Sequence, residues 1–213
     1  DLAAQYQKDM ENGGLSFYMD RLLARPGVDP SLIEDSGLMT RGRALYTKGT
    51  NDNGLITEFG FGGTMRYIKG DRTGYTLQIN GKKASDFTED TSKRVDYPSY
   101  WTSQYAGDGL AVTTKRFITD NNIAVTILEI TNTTAEEKDV AVTMLVPSCK
   151  QREGNTLAGT ARVDYKNLEL KASLDEGAVS GEGIRRTLTI PAGETVFQKA
   201  QMGFLDPSDA ATG

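Results

Sequence analysis

The sequence predicts an all-β fold, a two-sheet antiparallel β-sandwich with a short helical extension at its N-terminus. Three observations carry this. Runs of β-branched residues of strand length recur from Leu110 to Phe204, separated by turn-forming residues. Tyr75, Leu77 and Ile79 alternate with polar residues and lead into Asn80-Gly81, the strongest short hairpin signal in the chain. The 23 glycines and 38% hydrophobic residues suit a loop-rich domain with an ordinary core. By these criteria the chain holds roughly nine to eleven strands, enough for two packed sheets.

Taken in order, the chain opens with a helical pattern. Leu2, Tyr6 and Met10 repeat at helical spacing before Asn12-Gly13-Gly14, and Leu15, Tyr18, Met19 and Leu22 share a second face that ends at Pro26-Gly27. Residues 26–37 form a linker or long loop. A strand is expected around Ala44–Thr47 and, after the Asn51-Asp-Asn-Gly turn, another over Leu55–Phe61. Gly60, Gly62 and Gly63 beside aromatics point to bulges or a close backbone approach. Residues 86–98 read as irregular with a short strand near Lys93–Tyr97, followed by an aromatic, Pro-containing loop over 97–105. Gln151–Ala161 reads as a polar loop; Val163–Ser173, Ile184–Ile190 and Thr195–Phe204 read as strands, the last two joined by the compact Pro191-Ala-Gly-Glu-Thr turn. The organisation is thus a helical arm and linker over 1–37, a sandwich over 38–205 and a linker-like tail over 206–213.

The centre is predicted to be a three-strand meander: Leu110–Ile118, Ile123–Ile130 and Val140–Val146. Its last two strands are apolar on nearly both faces. Ile123, Val125 and Ile127 point one way and Ala124, Leu128 and Ile130 the other. A strand exposed on one side alternates strictly, so both sides are expected to be covered, one by a second sheet and one by a helix, loop or further domain.

Composition narrows the chemistry. The net charge of -5 and pI near 4.9 argue against nucleic-acid binding, which needs clustered Lys and Arg. The absence of histidine removes imidazole-based triads and His-ligated zinc, and one cysteine, Cys149, makes no internal disulfide. No metal or other cofactor is expected. No apolar run reaches membrane-spanning length. No leader is visible at Asp1, and a secreted or cell-surface location remains the expectation if one was cut away.

Tyr97, Tyr100, Trp101 and Tyr105 are candidate substrate-binding residues. Aromatic faces suit the apolar C–H faces of sugars, although the same rings can instead cap the core. Arg41 and Arg43, two apart in an extended segment, can meet a carboxylate or sugar hydroxyls, or else form surface ion pairs. Lys115-Arg116 reads as a solvated strand edge. Glu58 and Glu129 each interrupt an apolar strand, but nothing in the sequence brings them together as a glycosidase pair. Gly60-Phe-Gly-Gly lacks the Lys-Ser/Thr of a phosphate loop, Asn51-Asp-Asn-Gly lacks calcium-loop spacing, and Asn132-Thr133-Thr134 is a formal glycosylation triplet of no weight.

The run Gly109–Thr134, with Thr40-Arg-Gly-Arg-Ala-Leu-Tyr46 and Tyr97-Pro-Ser-Tyr-Trp-Thr-Ser103, resembles the N-terminal sandwich of large bacterial glycoside hydrolases and sugar phosphorylases that carry an (α/α)6 barrel. The resemblance implies a super-sandwich of galactose-mutarotase type without catalytic residues of its own. Its implied partners are a helical catalytic domain or subunit, where the family's catalytic acids lie, and carbohydrate. A free-standing carbohydrate-binding or cell-surface module and a self-contained two-carboxylate glycosidase are the alternatives.

Overall fold

A computed structural model describes residues 74–96, 100–119, 122–163 and 166–205, together with Ala4 and the short stretches 25–26, 46–47, 59–61 and 65–66. The strands in chain order are β1 (Arg25–Pro26), β2 (Tyr46–Thr47), β3 (Phe59–Phe61), β4 (Met65–Arg66), β5 (Tyr75–Ile79), β6 (Thr88–Glu89), β7 (Val95–Asp96), β8 (Trp101–Gly107) and β9 (Leu110–Ile118). They continue with β10 (Ile123–Asn132), β11 (Lys138–Leu145), β12 (Cys149–Glu153), β13 (Thr156–Val163), β14 (Lys166–Leu174), β15 (Ala178–Ser180), β16 (Gly183–Ile190) and β17 (Thr195–Leu205). The large sheet runs β1-β7-β8-β9-β10-β17-β14-β13-β12, with β6 also paired to β8. The second runs β15-β16-β11-β5-β3, and β2 pairs β4. The chain is therefore the expected antiparallel β-sandwich. The predicted helical arm, apart from Ala4, lies outside the described residues.

The central meander is corrected in one respect. β9 pairs β10 as expected, from Ala124 opposite Ile118 to Asn132 opposite Leu110. β11 leaves that sheet and sits between β16 and β5 in the other, while β17 takes the place beside β10. The crossover is anchored by Asn132. Its side-chain amide donates to the Ile190 carbonyl of β16 at 2.9 Å and to the Glu136 carbonyl at 2.7 Å, and its side-chain oxygen accepts from the Thr134 N–H at 3.0 Å. The returning crossover runs alongside, with the Gly193 N–H donating to the Asn132 carbonyl at 2.9 Å. Periodicity shows that a segment is a strand; it does not say which sheet receives it.

Two further segments differ from expectation. The polar stretch 151–161 is an exposed edge hairpin, β12–β13, rather than a loop: solvent on one face and at the edge lets polar residues extend. The aromatic stretch is strand from Trp101 onward, with Trp101, Ser103 and Tyr105 facing inward. Turn chemistry is as the sequence indicates. Asn80 (φ 53°) and Gly81 (φ 73°) make the left-handed pair of a tight turn closed by the Ile79 and Lys82 backbone bonds, and Asn122 (φ 63°) serves the β9–β10 turn. Gly60 (φ 99°) lies so close to β5 that an added Cβ would sit 2.8 Å from the Tyr75 carbonyl oxygen.

The core fills the space between the sheets. Ala124, Leu128 and Ile130 of β10 face Val140, Val142 and Met144 of β11 and Leu77 and Ile79 of β5, all essentially dry. Phe59 packs edge-on against Phe87 and Tyr105, with ring centroids 5.6 and 5.2 Å away.

The outer face of the central strands is only partly apolar. Val125 is 4% exposed, and Ile123 and Ile127 are half-buried. Ile127 lies directly between Lys115 of β9 and Lys199 of β17, whose aliphatic stems can shade it while their charges stay wet. β11 likewise keeps Ala141, Thr143 and Leu145 half-buried. The inward flank of each strand is fully covered, and the outer flank is neither fully covered nor freely wetted.

Candidate functional site

Of the candidate site residues that the structure describes, Tyr100 and Trp101 lie at the end of the sandwich where β8 begins, β9 ends, and β5 and β10 start, while Tyr105 lies further along β8, opposite Val112. Trp101 and Tyr105 are 6% and 5% exposed and belong to the core. Their rings face inward because they share the strand face of Ser103. Tyr100 is half-buried, and the Lys115 ammonium stands 4.2 Å from its ring centroid. Tyr97, Arg41 and Arg43 lie outside the described residues, as does Glu58. Of the six candidates, the structure thus brings Trp101 and Tyr105 together as core and leaves Tyr100 as the partly accessible ring.

Glu129 is exposed on the outer face of β10, opposite Thr113 on one side and Phe197 on the other. No carboxylate stands beside it on either neighbouring strand. Among the described residues, no group of three His, Cys, Asp or Glu side chains could hold a metal. No helix among them is long and apolar enough to cross a membrane.

Arg116 is the main departure from expectation. Rather than a solvated edge, it is 2% exposed and the bulkiest fully buried side chain among the described residues. The reason is parity: Leu110, Val112, Thr114 and Arg116 alternate onto the inward face of β9, and Leu110 and Val112 are 1% exposed. The apolar character of Leu110 and Val112 was the available signal. Charge at the end of the run masked it.

Around Arg116 the interior is polar. Trp101 and Thr126 lie directly opposite it on β8 and β10. The Tyr75 hydroxyl reaches across from the second sheet, shares a 2.9 Å hydrogen bond with the Thr126 hydroxyl and lies 3.2 Å from the carbonyls of Ala124 and Ala200. Burial pushes the Tyr75 phenol well above its ordinary value, against smaller lowering by Thr126 and by the Arg116 charge, so it stays neutral. The Nε and Nη2 atoms of Arg116 and the hydroxyl of Thr114 are buried without hydrogen-bond partners.

At the opposite end, Asp108 in the β8–β9 turn gathers two ammonium groups and an amide, from the turn after β5 and from β11. One carboxylate oxygen lies 3.3 Å from Lys82 Nζ and 3.6 Å from Lys138 Nζ, and the other accepts from the Asn80 amide at 3.0 Å. This corner is a structural tie between the sheets.

No family model matches the sequence. In fold, the chain is similar to a protein assigned as a kojibiose phosphorylase from the human microbiome, with a TM-score of 0.53 and 12% identity over 85% of this chain and 32% of that one. A heparinase III is more distant, at TM-score 0.38 and 11% identity over 66% of this chain and 24% of the other. The chain thus spans about a third of the length of the phosphorylase it matches.

Proposed function

We propose that this chain is a non-catalytic β-sandwich domain, or subunit, of a carbohydrate-active enzyme and that it packs on a helical (α/α)6 catalytic domain. The observation that supports it most is the fit of 85% of this chain to only 32% of a sugar phosphorylase, a likeness to one piece of a larger sugar-processing protein. The site chemistry agrees. Glu129 faces solvent without a second carboxylate beside it, whereas a glycosidase needs two acids flanking one bond.

The packing surface in this reading is the outer face of β9, β10 and β17. It combines half-buried Phe117, Ile123 and Ile127 with Lys115 and Lys199, so it is only partly apolar, as non-obligate interfaces taken whole are. Phe197, 65% exposed, adds an aromatic anchor on β17. Tyr100 is the described residue that would reach carbohydrate at the sandwich end, and Tyr97, Arg41 and Arg43 stay candidates from the sequence alone. Secretion or cell-surface display belongs to the same reading.

The test is an assay of the purified chain on a panel of oligosaccharides, with and without inorganic phosphate. No turnover is expected, and turnover would overturn the reading. The alternative of a free-standing binding module loses two of its four platform rings, Trp101 and Tyr105, to the core. Titration of the panel into wild type and Tyr100→Ala decides whether Tyr100, the partly accessible ring among the described residues, binds sugar.

A further inference from the structure

We propose that Arg116 and Thr114 form a receptor for a carboxylate group inside the Trp101 end of the sandwich. A guanidinium removed from water carries a heavy desolvation penalty that only an opposite charge or a full set of hydrogen bonds offsets. Arg116 has neither among the described residues. The residues directly opposite it are Trp101 and Thr126, and those opposite Thr114 are Ser103 and Leu128. All are uncharged, and the Tyr75 phenol across the interior already points its hydroxyl at Thr126, Ala124 and Ala200.

Which atoms lack partners identifies the ligand. Nε–H and Nη2–H lie on the same edge of a guanidinium and form the fork that grips a carboxylate side-on. The same molecule shows that fork filled elsewhere: Arg94 donates from Nε to Glu89 Oε1 at 2.8 Å and from Nη2 to Oε2 at 2.5 Å. In Arg116 that same pair is unpartnered. Thr114, two residues earlier on the same strand face, adds a third unpartnered buried atom, its hydroxyl, as a further donor. Three such atoms on adjacent inward positions of one strand make a preformed set of donors for a planar, singly charged acid.

The carboxylate comes either as a small free acid or from an acidic side chain docked there, and one measurement separates the two. Two-dimensional NMR of the arginine Nε–H groups of the whole chain, dialysed free of small carboxylates, is recorded before and during titration with sodium formate against sodium chloride at equal ionic strength. Arg116→Lys assigns the signal. If a free acid is the ligand, the Arg116 Nε–H signal moves saturably with formate and not with chloride. If a side chain is the ligand, the signal is already downfield and slow to exchange, and formate leaves it there. Thr114→Val, which keeps the guanidinium and needs no charged residue replaced, is expected to weaken formate binding about threefold to tenfold in the first case and to speed exchange of that proton in the second. A signal at the position of solvated arginines, unmoved through roughly 50 mM formate, would overturn the proposal. The outcome is independent of the companion-domain reading, since neither result requires a helical partner or sugar turnover.

Discussion

Replacing Asn132 by Ala tests the crossover that separates β10 and β11 into different sheets. The substitution removes the amide that donates to Ile190 and Glu136 and the oxygen that accepts from the Thr134 N–H at 3.0 Å and its hydroxyl at 2.7 Å. Thr134 and Glu136 are exposed, so water can replace those bonds, at a net loss of about 0.5–1 kcal/mol each. Ile190 is 0% exposed, and its carbonyl loses a donor that water does not readily replace, at about 1–3 kcal/mol. The expected total is about 2.5–6 kcal/mol, or a fall in Tm of roughly 5–24 °C for a domain of this size. Urea denaturation with a fixed m-value is the assay. Thr134→Val, which removes one exposed hydroxyl, is expected to lose less than about 1 kcal/mol. A loss below about 1 kcal/mol for Asn132→Ala would refute the anchoring role. The same geometry forbids glycosylation of the folded chain at this triplet, because Asn132 is 0% exposed and its amide is fully engaged; a glycan on Asn132 after expression in a glycosylating host would refute it independently.

Trp101→Ala is expected to destabilise by about 3–5 kcal/mol, as for a large ring removed from a packed core, and thermal unfolding reads this directly. Asp108 is held below the ordinary carboxylate value, first by the Asn80 hydrogen bond, then, against some desolvation, by Lys82 and Lys138. Its folded pKa is thus lower than its unfolded one, so its contribution is complete above about pH 4–5 and disappears as pH falls through the folded value. The stability gap between wild type and Asp108→Asn should therefore be constant from neutral pH to about pH 5 and close below it; a gap that widens in acid would contradict the assignment. Burial pushes the Cys149 thiol up to about 11, against a small lowering by Ser148, so a disulfide reagent should modify it only in denaturant, and rapid labelling of the native protein would show that site to be open.

By itself the sequence determined the class of fold and much of its local grammar. Alternation in 75–79, the β-branched runs of β9, β10, β16 and β17, and the Asn80-Gly81 and Pro191–Glu194 turns follow from side-chain period and φ preference, both local properties. Tertiary structure alone decided the assignments that depend on distant partners. β11 joins β5 and β16 because Asn132 and the loop after it carry the chain across to the other sheet. The polar 149–163 segment becomes a hairpin because β14 offers it an edge. Trp101 turns inward and Arg116 is buried because hydrogen-bond register fixes the parity of β8 and β9 against a core that composition does not locate. A charged residue carries the same letter whether water or a second sheet lies above it, and only the packing of the two layers determines which.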